Sequence, residues 1–152
     1  MTTSFMGELM TATHNFGVAP TRGTSAVDSF KAALYLTTAT YNAATTAYAA
    51  TGEVSGTGYT AGGVAVTMGT VPTATNSSAT AGVAFVTPSA SITYTTVTLA
   101  TAFDAVLIYN STQSNKAVSV HTFGSQTVTA GTFTLTMPAN ATSTALIRLA
   151  TT

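Results

Sequence analysis

The titratable side chains of this 152-residue chain are few: two histidines (His14, His121), four acids (Glu8, Asp28, Glu53, Asp104) and four bases (Arg22, Lys31, Lys116, Arg148), beside six tyrosines. General acid–base chemistry needs a second titratable group within reach of the first, and here the acids are scattered with no pair at short spacing. Neither histidine has an acid beside it in sequence, and a zinc-type site needs three or four ligands. Cysteine is absent, so there is no thiolate nucleophile, thiolate metal site or disulfide, and the many Ser and Thr lack a G-x-S-x-G context. The glycine-rich run 56–63 (GTGYTAGG) invites a dinucleotide-loop reading, which requires a buried strand before it and a helix after it. A loop precedes it and the β-alternating Val64-Ala65-Val66-Thr67-Met68 follows, so the glycines are read as suppliers of positive φ in tight turns. The expected protein is not an enzyme, carries no cofactor and holds no metal. Three matches to the N-x-[ST] acceptor pattern, at Asn76, Asn110 and Asn140, are expected by chance in so Ser- and Thr-rich a chain.

The elements that position these residues read as strands. Phe103–Tyr109 is apolar on both alternations, which places it inside a sheet covered on both faces. The polar run 110–115 turns the chain, and 117–123 returns with Val118 and Val120 on one side and Ser119 and His121 on the other, giving a hairpin. Further strands are read at 29–38, 64–68, 81–87, 91–99, 131–137 and 144–149, with a β-bulge where the phase switches near Thr95-Thr96. Residues 69–80 read as a connection. Residues 39–63 read as a long ordered loop, pinned by Tyr41, Tyr48 and Tyr59. Glu53, the lone charge in that loop, is either a solvated acid or the partner of a cation on a neighbouring subunit. Short strands separated by Gly, Pro, Asn and Ser clusters predict an all-β fold. The form expected is an antiparallel β-sandwich or jelly-roll-like barrel, one domain over 26–152 preceded by an extended N-terminal arm over 1–25.

Composition narrows the partners. Charged residues make up 5% of the chain, against roughly 25% in ordinary domains. With zero net charge there is little repulsion between copies, which favours life inside an assembly. No basic patch offers a footprint for nucleic acid, and no apolar run reaches the roughly 18 residues of a membrane span. The N-terminus MTTSFMGELM lacks the pattern of a secretory signal. Phe5, Met6, Leu9, Met10 and Phe16 of the arm keep no regular period, so the arm reads either as a disordered tail or as an extended segment that gains order by lying on a partner.

Lys31-Ala32-Ala33-Leu34-Tyr35, Thr46-Ala47-Tyr48, the run from Glu53 through Gly63, Leu107-Ile108-Tyr109-Asn110 and Val128-Thr129-Ala130-Gly131-Thr132-Phe133-Thr134 resemble a family of small virion proteins of tailed bacteriophages. Members are often encoded beside the major capsid gene and include head decoration (cement) proteins. The resemblance runs from Phe30 to Leu149 and leaves out the arm before Val27. It implies a structural protein of the virion, assembled in the bacterial cytoplasm as a dimer or trimer. Its implied partner is the major capsid protein, which it would brace on the outside of the head. A tail-fibre or receptor-binding adhesin is the alternative, using the tyrosine-bearing loop to stack on a sugar. On either reading the residues expected to meet a partner are Phe5, Met6, Leu9, Met10 and Phe16 of the arm with Tyr48, Glu53 and Tyr59 of the loop.

Overall fold

The computed structural model describes residues 1–10, 13–16, 27–68, 72–75 and 82–150. Among the described residues one helix, α1 (Thr3–Met10), precedes seven strands: β1 (Phe30–Leu36), β2 (Val64–Val66), β3 (Thr73–Thr75), β4 (Val83–Val86), β5 (Ile92–Asn110), β6 (Lys116–Leu135) and β7 (Ile147–Ala150). They form two antiparallel sheets, ordered β2-β1-β5-β6 and β3-β4-β7, and among the described residues neither closes into a barrel. The all-β, antiparallel expectation holds. The chain divides into two compact units. The first comprises Met1–His14, Asp28–Val66 and Ile92–Leu135, and the second comprises Asn15–Val27, Thr67–Ser91 and Thr136–Thr152.

The first unit is organised around β5. Phe103 and Ala105 through Tyr109 are all buried, as a strand apolar on both faces requires, and β5 lies between β1 and β6. On one face Ala33, Tyr35, Ala105, Leu107, Tyr109 and Ala117 pack together under Ala39, Tyr41 and Tyr48 of the long loop. That cover explains why β1, which alternates in sequence, is buried without a break from Ala32 to Tyr35.

Four strands expected at 91–99, 103–109, 117–123 and 131–137 are two, of 19 and 20 residues. The breaks between them are register shifts in a continuous hairpin: the expected bulge falls between Tyr94 and Val97, with Thr96 at φ 53°, and others follow up to Ala105 and again between Ile108 and Tyr109. These shifts bend the ribbon. Phe123 and Phe133 would lie about 33 Å apart on a straight strand. Their ring centroids are 5.5 Å apart, and both rings meet Phe103 edge-on, at 6.0 and 5.0 Å.

The arm differs from expectation at its start. Thr3–Met10 is helical, with Phe5 at 0% exposure, and the Thr2 amide donates to the Val118 carbonyl (3.1 Å). Phe5 and Leu9 fall one helical turn apart, a spacing that the surrounding irregular apolar residues hide. The Thr2 contact brings the start of the chain against β6 at Val118, and Val118 and Ser119 are both fully buried where alternation was expected. Residues 11–12 and 17–26, with Pro20 and Gly23, lie outside the described residues.

In the second unit β4 is central, burying Phe85 and Val86, while β7 contributes Ile147. Its β3 falls in the stretch read as a connection, because three residues with two exposed side chains give no alternation to detect.

Candidate functional site

Two polar clusters in the first unit gather most of its titratable groups. The first is built on the long loop. Strand β1 pairs with β2 only as far as Ala32, and the loop takes over that edge from there: Val54 N–H donates to Leu34 O (3.0 Å) and Leu36 N–H to Gly52 O (2.9 Å). Glu53, held between these contacts, accepts from Tyr48 Oη on one oxygen (2.7 Å) and from Tyr59 Oη and the Gly62 amide on the other (both 2.7 Å). Tyr59 Oη in turn accepts from the Leu34 amide (3.1 Å), so one hydroxyl joins the carboxylate to the sheet. Tyr94 and Tyr109 donate to Ala32 O and Gly62 O (both 2.8 Å). Their rings stack on Tyr59 at 5.9 Å and on Tyr48 at 4.8 Å.

The electrostatics follow from this packing. Burial, reinforced by the hydrogen bond to Glu53, pushes the Tyr48 hydroxyl up to about 12. Burial also raises Tyr59, Tyr94 and Tyr109, with the Glu53 charge adding to each, and raises Tyr35, where the neighbouring Tyr41 adds to the effect. Every one of these tyrosines is thereby kept in the neutral form that can donate.

The glycines make the arrangement possible. At Gly63, with φ 73°, a Cβ would stand 1.7 Å from Ala32 O; at Gly56 it would stand 2.0 Å from Thr98 O. Gly58 and Gly62 have φ 78° and 87°, as the turn reading requires, whereas Gly56 is there for close approach to β5.

The second cluster joins α1 to the turn of the β5–β6 hairpin. Asn110, fully buried, donates from Nδ2 to Asp28 Oδ2 (2.7 Å) and to His14 Nδ1 (3.0 Å). Its Oδ1 accepts the amides of Thr112 and Gln113 (both 3.1 Å). With Nδ1 accepting, His14 Nε2–H donates to Glu8 Oε2 (2.8 Å), and the other Glu8 oxygen accepts from Lys116 Nζ (2.6 Å). Burial alone would raise the Glu8 carboxyl; the hydrogen bonds and charges of Lys116 and His14 outweigh it and hold the group below its ordinary value. His14 therefore has an acid beside it, supplied by the helix, which sequence spacing does not show. The same contacts remove Asn110 from the chance acceptor matches, and Asn76 lies outside the described residues.

The residues expected to meet a partner divide accordingly. Phe5 and Phe16 are buried within the chain, Leu9 is half-buried, and the side chains of Met6 and Met10 lie outside the described residues. Tyr48, Glu53 and Tyr59 are brought together, but toward one another and the sheet. The open alternatives for Glu53 are thus replaced by a third, an acid satisfied by its own loop. Tyr48 and Tyr59 also stay out of the shallow groove of about 620 Å³ beside Tyr41, whose walls are Thr38, Thr40, Ala47 and Thr51. His121 is a half-buried strand residue as expected, Nε2 lying 3.0 Å from Ser119 Oγ, and burial holds its imidazole below the ordinary value. No known protein family, curated protein or solved structure matches the chain.

Proposed function

We propose that this protein is a decoration (cement) protein of a tailed-phage head, binding the major capsid protein on the outer surface and stabilising the shell as a homo-oligomer. Its fold in this proposal is the jelly-roll-like sandwich expected from the strand spacing. The observation that carries it is the pairing of a nearly charge-free chain with a long loop committed to its own sheet. Glu53 and its tyrosines spend their polar groups on holding residues 52–63 against β1 and β5. A rigid, uncharged body of this kind suits a static brace, whose interfaces gain from apolar burial and main-chain pairing rather than from ion pairs. The adhesin alternative asks Tyr48 and Tyr59 to display their rings to a sugar, and both rings pack on tyrosines of the sheet instead.

The test is stoichiometry, measured as this chain against the major capsid protein in purified particles of the phage that encodes it. A ratio within a few-fold of one-to-one is the expected result. A few copies per hundred capsid subunits would assign the chain to a fibre or adhesin, and absence from particles would remove the virion role.

A further inference from the structure

Most edges of the two sheets are closed or short. The β1 edge beyond β2 is taken by residues 52–54 of the loop. The inner end of β6 is closed by Thr2 N–H on Val118 O and by Thr46 O on the Ala117 amide. In the second unit, β3 and β7 have three and four residues, and β7 carries an exposed arginine, Arg148. The outer half of β6, residues 126–135, has none of these protections. It pairs with β5 on one side, and among the described residues no backbone group pairs on the other. It contains no charge and no proline, the usual devices that keep a natural edge from pairing.

Its sequence carries a further pattern. Reading outward from the Ala130–Gly131 bond, small stands against small, then Thr129 against Thr132, Val128 against Phe133, and Thr127 against Thr134. The faces agree with this mirror order. Val128 and Phe133 pair with the buried Leu99 and Tyr94, so both lie on the covered side, whereas all four threonines are exposed. The bulge that keeps the two halves in phase is at the centre, where Ala130 has φ 45°.

We propose that residues 127–134 pair antiparallel with the same segment of a second copy, about a two-fold axis at the Ala130–Gly131 bond. Such an interface joins identical patches, so each residue must suit its mirror mate. Thr faces Thr, a favourable cross-strand pair, apolar Val128 faces apolar Phe133, and the two smallest side chains meet at the axis. The uncharged segment puts no like charges opposite each other. Two four-stranded sheets become one of eight strands, and the half-exposed Phe133 of each copy is covered by Val128 of the other. This deepens the homo-oligomer part of the proposed function. It is tested on the purified chain alone, so its failure leaves the particle stoichiometry untouched.

The absence of cysteine makes the test direct. The native chain should elute with twice its 15.3 kDa mass in size-exclusion chromatography with light scattering. Under oxidation, a mixture of Thr129→Cys and Thr132→Cys chains should form a disulfide-linked dimer, while a mixture of Thr127→Cys and Thr129→Cys chains should not. The double variant Thr129→Lys/Thr132→Lys, changed only at exposed positions, should halve the mass while keeping the native circular dichroism spectrum. A native monomer or trimer, equal linkage in both mixtures, or a lysine variant that remains dimeric would each overturn the proposal.

Discussion

Glu53 shows how one side chain ties together irregular backbone from Tyr48 to Gly62. Its carboxylate accepts three hydrogen bonds from two tyrosines and an amide, so Glu53→Ala leaves three donors without their acceptor. The expected cost is about 2–4 kcal/mol in urea unfolding, with Glu53→Gln losing less because an acceptor remains. Gly63→Ala should be worse. A methyl there meets the Ala32 carbonyl at 1.7 Å on a backbone already at φ 73°, and the variant is expected to lose the cooperative unfolding transition or express only as insoluble protein. The tyrosines give the site an alkaline limit. The folded hydroxyl of Tyr48 sits at about 12, above its unfolded value of 10.0, so its contribution is whole below pH 10 and is lost as pH rises through about 12. A urea series across that range should show a falling midpoint in the native chain and a flatter one in Tyr48→Phe.

At the scale of elements, α1 is held to the hairpin turn by Glu8, His14 and Lys116, and this attachment has an acid limit. The folded Glu8 carboxyl lies below the ordinary value of 4.5, so the unfolded chain takes up the proton first. Stability supplied by Glu8 is complete above that pH and declines as pH falls through the lowered folded value. Lys116→Met should shrink this acid-dependent loss, measured by thermal unfolding at a series of pH values from neutral downward. How far such features are legible in sequence depends on their range. The apolar run at Phe103–Tyr109 announces a central strand because both alternations are filled, and the bulge beside Thr96 announces itself as a phase change. The fusion of four expected strands into two does not, because Gly124 and Ala130-Gly131 look like turn residues and only the partner strand shows that they are bulges. Likewise Glu8 and His14 are neighbours by way of a short helix whose apolar positions show no clear period. Tyr48, Glu53 and Tyr59 were legible as a group of interest, but their direction was not. Whether a loop faces its own sheet or solvent is decided by contacts such as Gly63 against Ala32.

For the molecule as a whole, the small number of charges has a measurable consequence. Among the described residues the acid–base contacts are those of Glu8, which meets the Lys116 ammonium and hydrogen-bonds His14 Nε2. Raising sodium chloride to about 1 M screens exposed charges almost completely, and the unfolding free energy should then change by less than about 0.5 kcal/mol once the general salting-out trend is subtracted. A larger electrostatic loss would mean that surface charges matter more to this fold than apolar burial allows.

The contact between Thr2 and Val118 also sets an order of events during synthesis. Its partners are 116 residues apart, so at roughly 5–20 residues per second the ribosome makes one about 6–23 seconds after the other. For the later part of that interval Phe5 is outside the exit tunnel with nothing from the hairpin to bury it. The nascent chain therefore carries the Phe5 side chain uncovered until the hairpin emerges, and docking of α1 is a late, closing step of folding on the ribosome.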